Sequence, residues 1–437
     1  MAYKPSTLAL HAGYDYSTSL QSRAVPIYAT TSYVFRDTQE GADLYALRKP
    51  GFIYSRLHSP TVEVLEERLA AYHGASSGLA VASGSAANSF LLLSLGSPGS
   101  KIVASPHLYG GTGTLLEHTL KRLGYETEFV DLNDEAALRK AITKQTIAVF
   151  GETVANPSGY IVDIEKVAKI AHEHHIPLVL DNTASPPPLV NPFDFGADIV
   201  NYSLTKLVGG HGTHLGGVIL EKGDFDWGAN PHFKDYLNAP DAAYGGLNIW
   251  EALGKPNYKK GQSKVVTTKI RLDFLRNLGP VLSPFGAHEF LLGLETLPLR
   301  AQRHAESARL VAEHLAAHPK VTWVNYSGLP DSPYYPLSQK YFKETGPGAV
   351  FGFGLKGGYE AAVKFIDKLE LWSNLANILD ARSLVIHAAS TTHQQLTSEE
   401  RLKAGVPDDL IRLSVGLEDV GDLIETLDRA IAQAHKK

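Results

Sequence analysis

The stretch that decides the fold is Asp198-Ile-Val-Asn-Tyr-Ser-Leu-Thr-Lys206-Leu-Val-Gly-Gly-His-Gly212. Its first half is an apolar run typical of a buried strand, and its second half is a glycine-rich turn that lets a ligand approach the backbone. Lys206 stands at the strand end, after the hydroxyls of Ser203 and Thr205. A solvated lysine is the ordinary explanation for such a position. The alternative is a lysine that forms a Schiff base with an aldehyde, beside a phosphate site built from the hydroxyls.

The end of a second predicted strand supports the Schiff-base interpretation of Lys206. The run Pro177-Leu-Val-Leu-Asp181 is apolar and finishes in a carboxylate, and parallel α/β sheets place ligand-binding groups at such ends. A carboxylate that faces a pyridine nitrogen keeps that nitrogen protonated, so Asp181 and Lys206 together favour a pyridoxal site. Taken alone, Asp181 is also compatible with a helix N-cap or an Asx turn.

A third segment has the pattern of a phosphate site. Val81-Ala-Ser83-Gly84-Ser85-Ala-Ala-Asn88 runs from a strand through small residues into a helix, whose first N–H groups and positive dipole end attract anions. It lacks the P-loop lysine and the dinucleotide-binding spacing. The nearby Gly111-Thr-Gly113 has Leu116 where that motif needs its third glycine, so hydride transfer by a dinucleotide is not supported.

Outward from these segments, residues 60–220 alternate between β-branched runs and amphipathic stretches, which predicts a parallel sheet covered by helices. A helix from Pro60 to a stop at Gly74 is expected to have one face in solvent. Residues 224–258 form a long aromatic-rich excursion, and the C-terminal third predicts a second, α+β domain. The predicted strands of the main sheet are 79–82, 102–104, 128–130, 147–150, 178–180, 199–202 and 217–220.

Composition excludes several classes of protein. The 437 residues are 44% hydrophobic and 20% charged, which is ordinary for a folded chain and wrong for a disordered one. The formal charge of −5 gives no positive field for nucleic acid, and the absence of cysteine rules out disulfides and thiolate chemistry. The longest apolar stretch, near 90–95, is too short to span a membrane, and the first residues do not resemble a signal peptide. A cytoplasmic protein is predicted.

Two histidine groups favour no metal site. His172-Glu-His174-His175 has a possible ligand spacing, but it lies at the polar end of a predicted helix. His211 and His214 flank the turn after Lys206, where packing or a polar contact is the better explanation because no carboxylate completes a ligand set.

Several further segments at matching spacing identify a family. The chain resembles the Cys/Met-metabolism family of pyridoxal 5'-phosphate (PLP) enzymes, and within it the O-acetylhomoserine sulfhydrylases. The resemblance covers essentially the whole chain. Beyond the segments already quoted, it rests on Arg23-Ala-Val-Pro-Ile-Tyr-Ala-Thr-Thr-Ser-Tyr33, Ile53-Tyr54-Ser-Arg56, Leu108-Tyr109-Gly-Gly111, Glu152 with Asn156-Pro157, Ser373-Asn-Leu-Ala-Asn377 and Ile411-Arg412-Leu-Ser-Val-Gly416.

The resemblance implies a fold and an assembly. The fold is the α/β fold type I of PLP-dependent transferases, with a mostly parallel seven-stranded sheet, helices on both faces and a smaller α+β C-terminal domain. Residues 1–60 would form an N-terminal arm that completes the neighbouring active site, 61–285 the large PLP-binding domain, and 286–437 the C-terminal domain. A homotetramer built from dimers with shared active sites is implied, as is a small amino-acid substrate.

The resemblance also implies residue roles. Lys206 would carry the cofactor and later move protons, Asp181 would face the pyridine nitrogen, and Tyr109 would stack on the ring. The neighbouring subunit would contribute Tyr54, as a further catalytic residue, and Arg56, both reaching the phosphate. The remaining cofactor-binding residues would be Ser83, Gly84, Ser85, Asn156, Thr183, Ser203 and Thr205, and the substrate would be held by Arg412, Ser373 and Asn374. For Arg412 the local sequence supports the implied role, because an arginine inside an apolar strand needs an anionic partner. That partner is either a substrate carboxylate or an internal salt-bridge partner.

The implied reaction is γ-replacement on O-acetyl-L-homoserine through a vinylglycine ketimine. Sulfide is the default nucleophile, giving L-homocysteine and acetate. The alternatives are a carbon or amine nucleophile, or a γ-synthase or γ-lyase acting on a sulfur amino acid. Three positions depart from the family pattern: the run Ala184-Ser-Pro-Pro-Pro188, Leu204 and Leu379. Of these, the triple proline and Leu379 are expected to reshape the walls of the site.

Overall fold

The larger of two sheets contains all seven strands expected from the sequence. The computed structural model describes residues 3–342, 346–392, 394, 397, 399, 401 and 405–436. The strands are β1 Ser77–Val81, β2 Lys101–Ala104, β3 Glu126–Phe129, β4 Thr146–Glu152, β5 Leu178–Asp181, β6 Ile199–Ser203 and β7 Gly217–Glu221. Their order is β1-β7-β6-β5-β4-β2-β3, and only β7 runs antiparallel to its neighbours. The mostly parallel seven-stranded sheet is confirmed.

The smaller sheet lies in the C-terminal part of the chain. Its strands are β8 Val321–Asn325, β9 Val350–Leu355, β10 Ser373–Asn374, β11 Leu384–His387 and β12 Ile411–Ser414. Their order is β10-β11-β12-β9-β8, with a parallel pair only between β10 and β11. The sequence predicted β9 and β12, whereas β8, β10 and β11 were not predicted.

Helices cover both faces of the larger sheet. The α-helices of the described residues are α1 Pro5–His11, α2 Thr38–Tyr45, α3 Pro60–His73, α4 Gly84–Ser94, α5 Gly110–Thr114, α6 Glu135–Ala141, α7 Ile164–Glu173, α8 Val265–Lys269, α9 Arg276–Leu278, α10 Pro284–Ala317, α11 Tyr335–Tyr341, α12 Gly358–Asp367 and α13 Val420–Ala434. Short π-helical segments, Leu115–Leu120 and Ile270–Leu275, continue α5 and α8. No helix in these described ranges is long and apolar enough to cross a membrane.

Helix α3 corrects one expectation. It begins at Pro60 and ends at Gly74 in the left-handed region, as the sequence predicts. Its outer face is only partly in solvent, however, because α1 and α10 pack against it and Arg68 is buried beside Ala12 and Glu295. An amphipathic pattern cannot show that polar residues will be covered by later segments of the chain.

The strand pattern explains why this sheet is buried. In β1, Leu79 and Val81 belong to one hydrophobic core and Ala80 to the core on the opposite face. Successive side chains of a strand point to opposite faces, so a continuous apolar run requires cover on both sides. The core that contains Ala80 continues into the C-terminal part through α10, whose first turn spans the predicted domain boundary at residue 285.

Candidate active site

A cavity of about 340 Å³ lies at the carboxyl ends of β4, β5 and β6, where parallel sheets bind ligands. The C-terminal part of the chain closes it with residues 376–378 and with Arg412 of β12. The cavity brings together most of the residues predicted from sequence: Ser83, Gly84, Ser85, Tyr109, Asn156, Asp181, Thr183, Ser203, Thr205, Lys206 and Arg412.

Lys206 is the reactive amine of this cavity. It follows β6 in a tight turn, in which its carbonyl accepts a hydrogen bond of 2.8 Å from Gly210 N. Its Nζ donates to Asn377 Oδ1 at 2.6 Å. Burial and the nearby Arg412 guanidinium lower the pKa of the Lys206 amine, because both disfavour a second positive charge. A lysine with a lowered pKa is more often neutral, which is the nucleophilic form.

Asp181 is the last residue of β5 and is buried. Its Oδ1 accepts from the hydroxyl of Thr183 at 2.5 Å and from Thr183 N at 3.0 Å, and its Oδ2 accepts from Asn88 Nδ2 at 3.2 Å. Burial raises the pKa of the Asp181 carboxyl, while these donors oppose the rise by stabilising the anion. The carboxylate is therefore held in a fixed orientation and faces into the cavity.

Glu152 lies beside Asp181, on the neighbouring strand and in register with it. Burial, and then the charge of Asp181, raise the pKa of Glu152 to about 8. Its Oε1 accepts from Tyr109 N at 2.5 Å, so this carboxyl group fixes the backbone that carries the Tyr109 ring. Two adjacent buried carboxyls do not both ionise easily, and we assign the negative charge to Asp181, which has more hydrogen-bond donors.

The start of α4 forms a narrow cradle. Ser83 is the N-cap and accepts from Ala86 N at 3.1 Å. A Cβ added at Gly84 would lie 2.7 Å from Ser203 Cβ, so only glycine allows α4 to approach β6 this closely. Free N–H groups of the first helical turn, together with the hydroxyls of Ser83, Ser85, Ser203 and Thr205, make a donor set suited to a phosphate.

Arg412 forms the opposite end of the cavity. Its Nη2 donates to Asn377 O at 3.0 Å, and among the described residues no ion pair includes it. Burial lowers the pKa of the Arg412 guanidinium to about 10. Because a buried arginine is stable only when its charge is compensated, the open fork of Arg412 favours a carboxylate ligand.

Four predicted residues lie outside this cavity. Tyr54 and Arg56 are exposed, and the Arg56 guanidinium donates to the Arg276 carbonyl and lies 5.3 Å from the Tyr54 ring centre. Their action in a neighbouring subunit stays a prediction. Ser373 and Asn374 form the exposed edge strand β10 and do not line the cavity, which the chain reaches two residues later, at Ala376 and Asn377. The segment was recognised from sequence, but the contacting residue was not.

Other lining residues were not assigned a role from sequence. They are Asn88, Thr112, Glu152, Ala184, Leu215, Ala376, Asn377, Ile378 and Thr392. Asn88 had a detectable signal, since a polar amide inside the otherwise apolar helix α4 needs a partner. Glu152 and Asn377 lay within segments already quoted for the family resemblance.

Leu379 and the proline run do not line the cavity as expected. Leu379 is 1% exposed, has φ of +60°, and its N donates to Ser414 Oγ at 2.6 Å. Its side chain packs in the core behind the wall. Of the run that starts at Ala184, only Ala184 itself reaches the cavity, and Leu204 is also a core residue.

The histidines form separate contacts. His172 Nε2 lies 2.8 Å from Asp198 Oδ2, a pairing that raises the pKa of His172 through that hydrogen bond. Within the part of the chain that the structure describes, no group of three or more potential ligands could hold a metal ion.

Comparison with known proteins identifies the family. The Cys/Met metabolism PLP-dependent enzyme family matches residues 6–432. The chain belongs to this family. It is 50% identical to the O-acetyl-L-homoserine sulfhydrylase of Leptospira meyeri, over 98% of this chain and 97% of that protein. It is 44% identical to the homocysteine synthase of Schizosaccharomyces pombe, over 98% of each protein.

A solved structure shares the fold of this PLP-dependent enzyme. The protein is an O-acetylhomoserine (thiol)-lyase from Campylobacter jejuni, with a TM-score of 0.92 and 40% identity over 98% of this chain and 100% of that one. Its lysine carries a pyridoxyl phosphate group. The predicted PLP-dependent fold and the predicted cofactor are therefore confirmed.

The cavity fits this cofactor on its own structural evidence. Asn156 Oδ1 is buried at the cavity wall without a hydrogen-bond partner, which is the state expected of a group that awaits a ligand. The phosphate-type donor set and the Asp181 carboxylate lie in the same cavity as the amine of Lys206. An aldehyde that also carries a phosphate and a basic ring nitrogen matches all of these groups.

Proposed function

We propose that this enzyme catalyses γ-replacement on O-acetyl-L-homoserine, with sulfide as the nucleophile, producing L-homocysteine and acetate. The names of the relatives from Leptospira meyeri and Schizosaccharomyces pombe support this substrate and product. The observation that carries the proposal is the meeting of Lys206 and Arg412 at one residue, Asn377, in one cavity. An amino acid bound there has its carboxylate at the arginine and its α-carbon near the amine.

Arg412 holds the substrate. Its guanidinium offers a planar pair of donors, and a substrate α-carboxylate would supply the anion that the described part of the chain does not. Because Asn377 O already accepts from Nη2, the fork is fixed in one orientation before the substrate arrives. The substrate is thereby oriented as well as bound, which contributes to rate through positioning.

Lys206 moves the protons. When bound, PLP supplies an electron sink that acidifies the hydrogens on the α- and β-carbons of the substrate. The free amine of Lys206 removes the α-proton as a general base, and its lowered pKa keeps it in the unprotonated form more of the time. The same amine then delivers and removes protons during acetate loss and nucleophile addition.

Tyr109 is placed at the mouth of the cavity, with its backbone fixed by Glu152. We assign it the stacking position on the cofactor ring and, with Tyr54 of a neighbouring subunit, the proton donor for the leaving acetate. Leu215, Ala376 and Ile378 give part of the cavity an apolar lining. A small nucleophile such as sulfide is compatible with a cavity of about 340 Å³.

The proposal includes assembly and location. We infer a homotetramer of dimers, in which the arm of residues 1–60 brings Tyr54 and Arg56 to the neighbouring cofactor, and a cytoplasmic site of action. The exposure of Tyr54 and Arg56, outside the cavity of their own chain, supports the shared site.

The test compares the nucleophiles that the enzyme accepts. Purified enzyme with PLP is incubated with O-acetyl-L-homoserine and sulfide, then with β-keto acids, aldehydes or amines in place of sulfide, and products are identified by mass. Homocysteine should form fastest. A faster carbon or nitrogen product would refute sulfide as the nucleophile, and 2-oxobutanoate released without any nucleophile at an equal rate would indicate a lyase.

A further inference from the structure

Arg300 on helix α10 is a buried cation outside the cavity. Its side chain is 7% exposed overall, and among the described residues no ion pair includes it. Burial lowers the pKa of its guanidinium to about 10. A charge buried in this way is costly unless it is fully hydrogen-bonded, so its partners show what it is used for.

Two of its four hydrogen bonds go to backbone carbonyls after Lys206, and the other two go to Thr296 and Gly293 of its own helix. Arg300 Nη1 donates to Leu207 O at 2.6 Å, and Nη2 donates to Val208 O at 2.9 Å. Nη2 also donates to Gly293 O at 2.6 Å, which ties the guanidinium back to its own helix. One planar cation thus fixes two consecutive carbonyls of the reactive turn relative to α10.

Helix α10 approaches this turn so closely that two positions require glycine. A Cβ added at Gly293 would lie 2.2 Å from Val208 O, and one added at Gly210 would lie 2.3 Å from Arg300 Nη1. Gly210 has φ of +74°, which favours glycine independently of space. Gly210 O in turn accepts from Ala381 N at 2.7 Å, joining the turn to the segment that carries Asn377.

We propose that Arg300 is the positioning residue of the Lys206 turn: by fixing the carbonyls of Leu207 and Val208, it sets the direction in which Nζ enters the cavity. It acts through the backbone of the turn and touches neither substrate nor cofactor. A methionine side chain could fill much of the same space but has no donor for either carbonyl. The inference goes beyond the proposed function, because it concerns the lysine and holds for any nucleophile.

The experiment compares Arg300→Met and Arg300→Lys with a matched control, Arg68→Met. Arg68 is 2% exposed, donates to the Ala12 carbonyl at 2.9 Å and lies 3.6 Å from Glu295 of the same helix, but it contacts no part of the turn. Two quantities are measured on PLP-loaded enzyme: kcat and KM with O-acetyl-L-homoserine and sulfide, and the rate at which hydroxylamine removes the visible absorbance of the bound cofactor.

Arg300→Met should lower kcat by about 10- to 100-fold while KM changes by less than about threefold, because misplacing a catalytic group costs rate rather than binding. Its reaction with hydroxylamine should be about tenfold faster, since the lysine is less well held. Arg300→Lys should recover part of both losses, because an ammonium can still donate to one carbonyl. Arg68→Met should lower Tm and leave both rates unchanged.

Wild-type values of both rates in folded Arg300→Met would overturn the proposal, as would parallel losses in Arg68→Met. If Arg300→Met does not fold, Arg300→Lys decides, since wild-type rates in that variant would refute a role that needs the planar fork. The hydroxylamine rate needs no second substrate, so it remains decisive even if wild-type enzyme does not produce homocysteine.

Discussion

The two ends of the cavity differ in how many hydrogen bonds the protein makes to the charged group at each end. At the end built on the large sheet, Asp181 accepts three hydrogen bonds, from Thr183 and Asn88. At the end formed by the small sheet, Arg412 has a single protein acceptor, Asn377 O, among the described residues. In our proposal the first end is preorganised for the bound cofactor. The second end is completed only when the carboxylate of a substrate binds to Arg412.

Asp181→Asn tests the cofactor end and should have the largest effect. Without the negative charge the cofactor nitrogen loses its proton, and kcat should fall by about 10³-fold, the range seen when a key electrostatic group is removed. The control is Asp198→Asn, which changes another buried aspartate, directly before β6, that accepts from Leu178 N at 2.8 Å. Steady-state kinetics should show a loss for the first variant only, and equal losses would mean that Asp181 is merely structural.

Arg412→Met tests the substrate end. Losing a charged pair of hydrogen bonds worth about 1.5–3 kcal/mol should raise KM for O-acetyl-L-homoserine by about 10- to 100-fold. The affinity for PLP should stay unchanged, because the cofactor end is intact. The control is Arg382→Met, at an arginine outside the cavity whose side chain is 74% exposed. A loss of PLP affinity in Arg412→Met would contradict the division into two ends.

Glu152→Gln tests whether the Glu152 carboxyl beside Asp181 is protonated in the folded enzyme. The pKa of Glu152 is raised to about 8 in the folded state, so its favourable contribution is complete below its ordinary value of 4.5 and is lost as pH rises towards 8. Glutamine cannot ionise and avoids that loss. The stability of the variant relative to wild type should therefore increase between pH 5 and pH 8, by at least about 1 kcal/mol.

Urea unfolding of PLP-loaded Glu152→Gln at both pH values measures this change. Glu135→Gln, the same substitution at the start of α6 and outside the cavity, is the control. A constant difference between Glu152→Gln and wild type would show that Glu152 is already ionised in the folded state.

Leu379→Gly should have the smallest effect, on stability alone. Removing a buried leucine costs about 2–5 kcal/mol, while relief of its positive φ returns about 1 kcal/mol or more. The net loss should be about 1–3 kcal/mol in urea unfolding, with kcat and KM unchanged because the side chain lies behind the wall. A shift in KM would restore Leu379 as a determinant of the cavity.

Much of the large domain could be predicted because its determinants are local in sequence. Apolar runs that end in Asp181 and Lys206 define both the strands and the chemistry, and the small residues after Ser83 define the helix that meets them. The substrate end was less predictable because its contacts depend on tertiary approach. Ser373 and Asn374 were chosen from a correct segment, but only the path of the chain beyond the edge strand brings Asn377, rather than its neighbours, to the amine.

The buried positions of Arg300 and Leu379 show the same limit. Neither residue has a sequence pattern that reveals what covers it, since the covering groups are distant in the chain. Periodicity gives the face of a helix but not the partner of that face.

The most direct test of the account is to find which lysine carries the cofactor. Enzyme reduced with borohydride is digested, and the peptides are sequenced by mass spectrometry. A pyridoxyl group on Lys206 alone is the predicted result. A pyridoxyl group on another lysine, or none on a fully active enzyme, would contradict the claim that this cavity is the active site.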